Sequence, residues 1–294
     1  MLSIIVCSIN PEYLSALQQN IAETIGTEYE IIPIDNREYN WPIAKAYNHG
    51  AKQAKYPFLF FAHEDIKFHT KEWGPIIEDK LKEQTTGIIG FAGSKARVNT
   101  YAAWFQERDW MVLHLYQRAK NLTKLDISNV YLEVPFIPVT TIDGLGMFVR
   151  TDVWAKLPFD ESALQGFHCY DIDFSLQIFT HKYVNYVCTS NDVWIEHFSQ
   201  GNYDTEWISE TVRLHRTKWK HMLPLMVSDM NMSSHELKEH EEYLAYKFLI
   251  QILWSDYQKK QELINEFFWK RKWNSRHFAN CITLYSMIKK SKRR

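Results

Sequence analysis

The strongest constraint in this sequence is an alternation, repeated three times near its start, of a short apolar run with a helical pattern. Residues 3–8 form a short, largely apolar run, Asn10-Pro11 punctuates it, and Leu14, Leu17, Ile21 and Ile25 then recur at helical spacing. A second run, residues 29–34, stops at Asp35-Asn36, after which Trp41-Pro42 opens a helix through Ala44, Tyr47, Ala51 and Ala54. A third, residues 57–62, ends at His63-Glu64-Asp65. Runs that are apolar throughout, rather than at every second position, belong to strands buried on both faces. Strand-helix alternation therefore predicts an α/β fold with a mostly parallel sheet flanked by helices. Polar residues collect where these strands end, at Asn10, at Asp35-Asn36 and at His63-Glu64-Asp65, and in open α/β sheets that is where ligands bind.

Further along, residues 87–91 and 144–149 read as strands, 152–155 and 171–179 as helices, and 183–187 and 193–195 as short strands, with His197 opening a loop. Residues 98–135 read as an irregular, aromatic-rich insertion. From residue 209 the pattern is helical. With 294 residues and 46% hydrophobic content, the chain can bury one core plus a smaller appendage, and no Pro/Gly-rich linker separates the two parts. We therefore expect an α/β domain over 1–208 and a helical C-terminal extension over 209–294 packed on it. Four scattered cysteines form neither a zinc ribbon nor a disulfide scaffold and suit a reducing cytoplasm. The first apolar run is too short for a membrane span and lacks a basic flank and a cleavage site. No later stretch reaches the length of a transmembrane helix, so any membrane contact is expected to be peripheral.

Taken alone, the strand-end residues allow two readings. His63 and Asp65 lie on one side of an extended chain and suit a cation, or they are the polar residues with which any strand can end. Asp171 and Asp173 suit acid-base chemistry, or they favour a helix N-terminus electrostatically. The order of motifs narrows the choice. Asp35-Asn36, then Pro-Ile-Ala-Lys-Ala-Tyr-Asn48-His-Gly50, then an apolar strand and His63-Glu64-Asp65, resembles the nucleotide-binding half of family 2 glycosyltransferases. Downstream, Asp143-Gly-Leu-Gly-Met-Phe-Val-Arg150, Phe159-Asp160-Glu161, Tyr170-Asp171-Ile-Asp173 and a strand ending at His197 follow the same family's order, so that the similarity spans roughly residues 3–200 in ordered pieces.

This resemblance implies a GT-A-type fold and transfer of a sugar, with inversion, from a nucleoside diphosphate to a hydroxyl of a glycan or glycolipid. It implies that Asn10, Asp35, Asn48, His63, Asp65 and Asp143 bind the donor, that Asp65 and His197 hold a divalent cation, Mn2+ or Mg2+, and that Asp171 is the general base. His63 stands where the family's metal motif usually has its first aspartate, and Tyr170 where a glutamate precedes the base. Those two departures keep a second reading open, a non-catalytic nucleotide- or glycan-binding module. A nucleotidyltransferase on a similar sheet is less well matched, because Asn10-Pro11-Glu12 stands where a Gly-rich basic loop is needed. Gly144-x-Gly146 lacks the third glycine of a dinucleotide fingerprint, and no P-loop is present.

Trp104, Trp110 and Tyr116 suit either an acceptor-stacking wall or local core. Overall charge is balanced, with 34 basic and 35 acidic side chains, and gives no reason to expect nucleic acid. Residues 269–294 nevertheless carry nine lysines and arginines and no acid, interleaved with Trp273, Phe278 and Tyr285. That segment suits peripheral contact with an anionic membrane, or it is a solvated helix face with a basic tail.

Overall fold

The computed structural model describes residues 1–118, 126–128, 134–198, 203–270 and 275–291. The chain forms two compact units, one of Met1–Arg97, Trp104–Gly201 and Leu225–Ser228, the other of Val98–Ala103, Asn202–Pro224 and Asp229–Arg294.

The first unit opens with β1 (Leu2–Ser8), α1 (Pro11–Thr24), β2 (Tyr29–Asp35), α2 (Asn36–Tyr39), α3 (Ile43–Ala51) and β3 (Phe58–Ala62). It continues through β4 (Ile66–Phe68), α4 (Trp73–Leu81), β5 (Thr86–Gly90), β6 (Ala92–Ser94), β7 (Ala96–Arg97), β8 (Met111–Leu113), β9 (Leu115–Gln117) and β10 (Asp126–Ser128). β11 (Phe136–Val139), β12 (Thr141–Ile142), β13 (Gly146–Arg150), α5 (Thr151–Lys156), α6 (Tyr170–Thr180), β14 (Val184–Cys188) and β15 (Ile195–His197) follow. The second unit is built on α7 (Thr205–Thr217), and after β16 (Leu225–Met226) returns to the first unit, on α8 (Ser234–Leu253), α9 (Lys260–Lys270) and α10 (Ser275–Ser291).

The central sheet has seven strands in the order β11-β14-β5-β13-β3-β1-β2. β2, β1 and β3 are parallel, β13 runs against both β3 and β5, and β14 is parallel to β5, as the apolar runs predict for a mostly parallel sheet. Register decides where the site lies. Ser8 pairs with Asp35, Val6 with Ala62, and Ala62 with Gly146, so three strand ends and the start of β13 meet at one edge. A smaller sheet, β10-β9-β15-β4, aligns His197 with Ile66 on one side and with Gln117 on the other. His197 thus ends a strand instead of opening a loop, and α7 begins at Thr205, earlier than residue 209. The insertion at 98–135 also contains short strands, and its first residues, Val98–Ala103, belong to the helical unit.

Stacked aromatic rings fill the core between sheet and helices: Phe60 on Phe148 and Phe68 on Trp73, each pair with centroids 3.9 Å apart. The α4–β5 turn is closed by the buried Arg150, which donates to the carbonyls of Leu81, Glu83, Gln84 and Thr86. In the helical unit, Trp207, Phe248, Leu249, Leu263, Phe267 and Leu284 share one apolar cluster. No helix among the described residues is long and apolar enough to cross a membrane.

One buried amide ties α3 to the segment before α6. Asn48 Nδ2 donates to the Phe159 carbonyl and to Glu161, both at 2.9 Å, while its Oδ1 accepts from Trp154 Nε1 at 3.0 Å and from the Phe159 N–H at 3.2 Å. Leaving such groups buried without partners costs about 1–3 kcal/mol each. Asn48→Ala is therefore expected to lower unfolding free energy by at least about 2 kcal/mol, as read from the denaturant midpoint in guanidinium.

Candidate functional site

The edge where β1, β2 and β3 end carries most of the residues that sequence assigns to a ligand. At the end of β1, Ser8 Oγ donates to Glu64 at 2.6 Å, and the same carboxylate accepts the backbone N–H groups of Ile9 and Asn10. The Asn10 side chain caps α1 by accepting from the Glu12 and Tyr13 N–H groups. Asp35, at the end of β2, is half-buried and ion-paired with Arg37, whose guanidinium hydrogen bonds hold its carboxyl below the usual range. Asn48 lies apart, buried and engaged on all sides of its amide, as described above. Between α1 and the β3–β4 segment is a cavity of about 430 Å³, with Tyr13 and Glu23 on one wall and Glu64, Asp65 and Phe198 on the other.

Beyond β3 the chain brings His63, Asp65 and His197 together, with one ligand-type atom from each lying within 4.8 Å of the others. Backbone pairing fixes this meeting. The His63 N–H donates to the Leu145 carbonyl at 3.1 Å, and the Phe198 N–H to the Asp65 carbonyl at 3.0 Å. His63 Nδ1 is 3.8 Å and His197 Nε2 3.6 Å from the same oxygen, Asp65 Oδ1. Burial, reinforced by the nearby His197, lowers the His63 pKa and keeps its ring neutral near pH 7.

A hydrogen-bonded path leads from His63 to the start of α6. His63 Nε2 is 2.7 Å from Tyr170 Oη, which donates to the Gly144 carbonyl at 3.1 Å. Gly144 is required by this contact, because a Cβ there would lie 2.2 Å from the Tyr170 hydroxyl oxygen. Asp143 Oδ1 accepts the Leu145 N–H at 2.8 Å and so holds the turn that carries Gly144. Immediately before α6, Cys169 adopts a left-handed backbone with φ of 64°, an uncommon conformation for a side-chain-bearing residue, and the helix begins directly at Tyr170 and Asp171.

Asp171 accepts its neighbour's N–H, from Ile172, at 2.8 Å. Burial first, and the Asp143 carboxylate second, push its pKa up to about 7. Asp173 is different. It is only 1% exposed, on another side of α6, so the two acids do not share a setting. Arg97 is wholly buried near Asp171 and Cys169, and burial draws its guanidinium down to about 10. Three contributors were not legible as site residues: Gln117 in the insertion, Arg97 in a two-residue strand, and Tyr170, which in sequence is only a departure from an expected glutamate. Trp110 is buried and Tyr116 stacks on Trp194 at 4.7 Å, so both pack locally.

No curated protein matches the chain. Solved structures resemble it in fold: S. aureus TarS 1–349 in complex with UDP (13% identity, TM-score 0.55, covering 91% of this chain and 79% of that one) and a second structure of TarS 1–349 (14%, TM-score 0.53, 91% and 79%). GalNAc-T7 with UDP, GalNAc and Mn2+ is similar at 10% identity and a TM-score of 0.51, covering 90% of this chain and 54% of that one. The common architecture is the GT-A type. The profile of the glycosyltransferase like family matches residues 3–216, well over half of the 294 residues, and the chain belongs to that family.

Proposed function

We propose that this glycosyltransferase moves a sugar from a nucleoside-diphosphate donor to a hydroxyl of a glycan or glycolipid acceptor with inversion, using Asp171 as general base. The observation that carries the reading is a carboxylate titrating near neutrality, linked through Gly144 and Tyr170 to a cluster of cation-ligand atoms at the sheet edge. UDP in the TarS and GalNAc-T7 structures supports a nucleotide donor. In this reading Asn10, just beyond β1, and Asp35, at the end of β2, would meet the nucleoside, and Asp143 would brace the turn between the donor side and Asp171. The cluster fits a divalent cation, Mn2+ or Mg2+, because it offers a carboxylate and imidazole nitrogens at separations too long for hydrogen bonds. Asp65 and His197 would hold it, with His63 beside them, and its chemistry there is to neutralise charge developing on the leaving diphosphate.

An acceptor hydroxyl is too weakly acidic to ionise in advance, so Asp171 takes its proton as the oxygen attacks the anomeric carbon. The base works only when ionised. Transfer at low acceptor concentration should therefore rise with pH through about 7 and level off above it. Stability has the opposite sign, because a carboxyl whose folded pKa is raised favours the folded state below its unfolded value and loses that contribution as pH rises through about 7. Asp171→Asn should cut turnover roughly a hundredfold or more while raising the melting temperature at pH 8. A variant that stayed active, or lost stability together with activity, would return Asp171 to a structural role.

The basic C-terminal end adds a second contact, with an anionic membrane. On α10, Phe278, Ile282 and Tyr285 are 55%, 54% and 53% exposed at helical spacing, while His277, Cys281 and Leu284 on another face are buried. Lys289 lies over the Tyr285 ring at 4.6 Å. Arg276 is paired with Glu239, and residues 269–294 contain nine lysines and arginines and no acid. An apolar stripe beside positive charge suits a headgroup boundary. The full chain should cosediment with phosphatidylserine-containing vesicles and leave them as salt rises. Phe278→Ser combined with Ile282→Ser should weaken partition at least about tenfold. Equal partition into neutral vesicles, or none at low salt, would remove this contact.

A further inference from the structure

Two hydrogen-bonded ties fix the separation of α1 from the β3–β4 segment and so hold the cavity between them open. Asn20, buried in α1, donates through Nδ2 to the Phe68 carbonyl at 2.9 Å and accepts the Phe68 N–H at 2.7 Å. Glu64 accepts from Ser8 and from the backbone N–H groups that lead into α1. One stripe of α1 faces the gap, with Tyr13, Ala16, Gln19 and Glu23 at the three- and four-residue spacing of a single helix side. Ala16, in the middle of that stripe, has no bulk to fill it. About 430 Å³ is left, within the range of small-molecule sites.

The lining decides what can enter. Glu23, Glu64 and Asp65 stand against one lysine, Lys67, so an oxyanion such as a diphosphate is repelled. Gln19 Nε2 donates to Glu23 Oε1 at 2.9 Å, which fixes the amide and leaves its own oxygen as an acceptor. Carboxylates and an amide so arranged hydrogen-bond neighbouring hydroxyls. Tyr13, 47% exposed, and Phe198 add ring surface for the C–H side of a sugar. Asp171, His63 and His197 are not among the described residues that line the cavity, so its occupant is held away from both the reacting hydroxyl and the imidazoles of the donor side. We propose that the cavity is a subsite for an uncharged pyranose of the acceptor, at a distance from the hydroxyl that attacks. The proposal rests on the transferase reading above and narrows its acceptor to a saccharide of more than one unit, recognised through a neutral sugar on the flank of α1. Binding energy from such a remote unit favours transfer only to acceptors long enough to reach it.

The test uses the full chain and follows simple glycosides by saturation-transfer NMR: the methyl β-glycosides of glucose, galactose and N-acetylglucosamine, and methyl β-glucuronoside as a charged counterpart. At least one neutral glycoside should bind, and the glucuronoside at least about tenfold more weakly than methyl β-glucoside. Ala16 is exposed, so Ala16→Phe fills the gap from the helix surface without entering the core. It should abolish the glycoside signal, and Tyr13→Ser should weaken it about tenfold. UDP affinity in the presence of Mn2+, read by calorimetry, should stay within about twofold of wild type in both variants, with circular dichroism confirming the fold. Silence from all three neutral glycosides, a glucuronoside bound as tightly as the glucoside, or a signal that survives both substitutions overturns the proposal. Loss of UDP binding in folded Ala16→Phe also overturns it, because the cavity would then belong to the nucleotide. A wild-type chain that binds the glycosides but not UDP keeps the sugar subsite and removes the donor reading instead.

Discussion

Water reaches neither face of β3 or β13, and almost nothing of β1, and the rest of the molecule follows from that exclusion. Every residue of β3 and of β13 is buried, so a polar side chain placed along either strand pays the full cost of desolvation unless, like Arg150, it finds hydrogen-bond partners. Polar chemistry is displaced to where the strands stop. Parallel pairing then aligns those stops, Ser8 with Asp35 and Val6 with Ala62, and the reversed β13 brings Gly146 beside Ala62. The edge that results is narrow, and His63, Asp65 and the Asp143–Gly144 turn have to share it.

How much of this could be read in advance depended on how local the cause was. β1 and β3 were legible because continuous apolar runs have one sensible burial, β2, an edge strand with only Ile32 and Ile34 buried, because it keeps the same alternation with helices, and Asp65 because it follows directly on such a run. His197 was placed by motif order, though it closes β15 through pairing with Ile66, a contact set by two short strands too brief to leave a pattern. Tyr170 was legible only as a departure from an expected glutamate and Gln117 not at all, since what they do is hydrogen-bond to His63 and His197, 107 and 80 positions away. Asn48 shows the opposite case: a motif match identifies the position, but the amide's four partners are internal. Short strands in the 98–135 insertion, rich in polar and aromatic residues, gave neither period clearly.

Electrostatics at the start of α6 shows the usual conflict between stability and activity. Asp171 is crowded by Asp143 and by the apolar interior, and its ionised form is costly to the fold. In the base role proposed for Asp171, the same crowding would bring its pKa close to the pH at which an alcohol's proton has to be removed, where a base is most effective. A carboxylate in open solvent would be cheaper to ionise and a weaker acceptor. The nearby guanidinium of Arg97 interacts favourably with the ionised Asp171 and offsets part of that penalty.

The two compact units exchange short lengths of chain. Val98–Ala103 leaves the first to join the helical core, where Tyr101 accepts a hydrogen bond from Arg216, and Leu225–Ser228 comes back to pair β16 with β7. Each unit thus contains a piece of backbone that the other unit's sequence delivers. Such a pair cannot be separated at one peptide bond, so neither half is a portable module for recombination. Genetic shuffling that swapped the helices for those of another transferase would also have to rewrite the insertion, and the two parts are constrained to be inherited together.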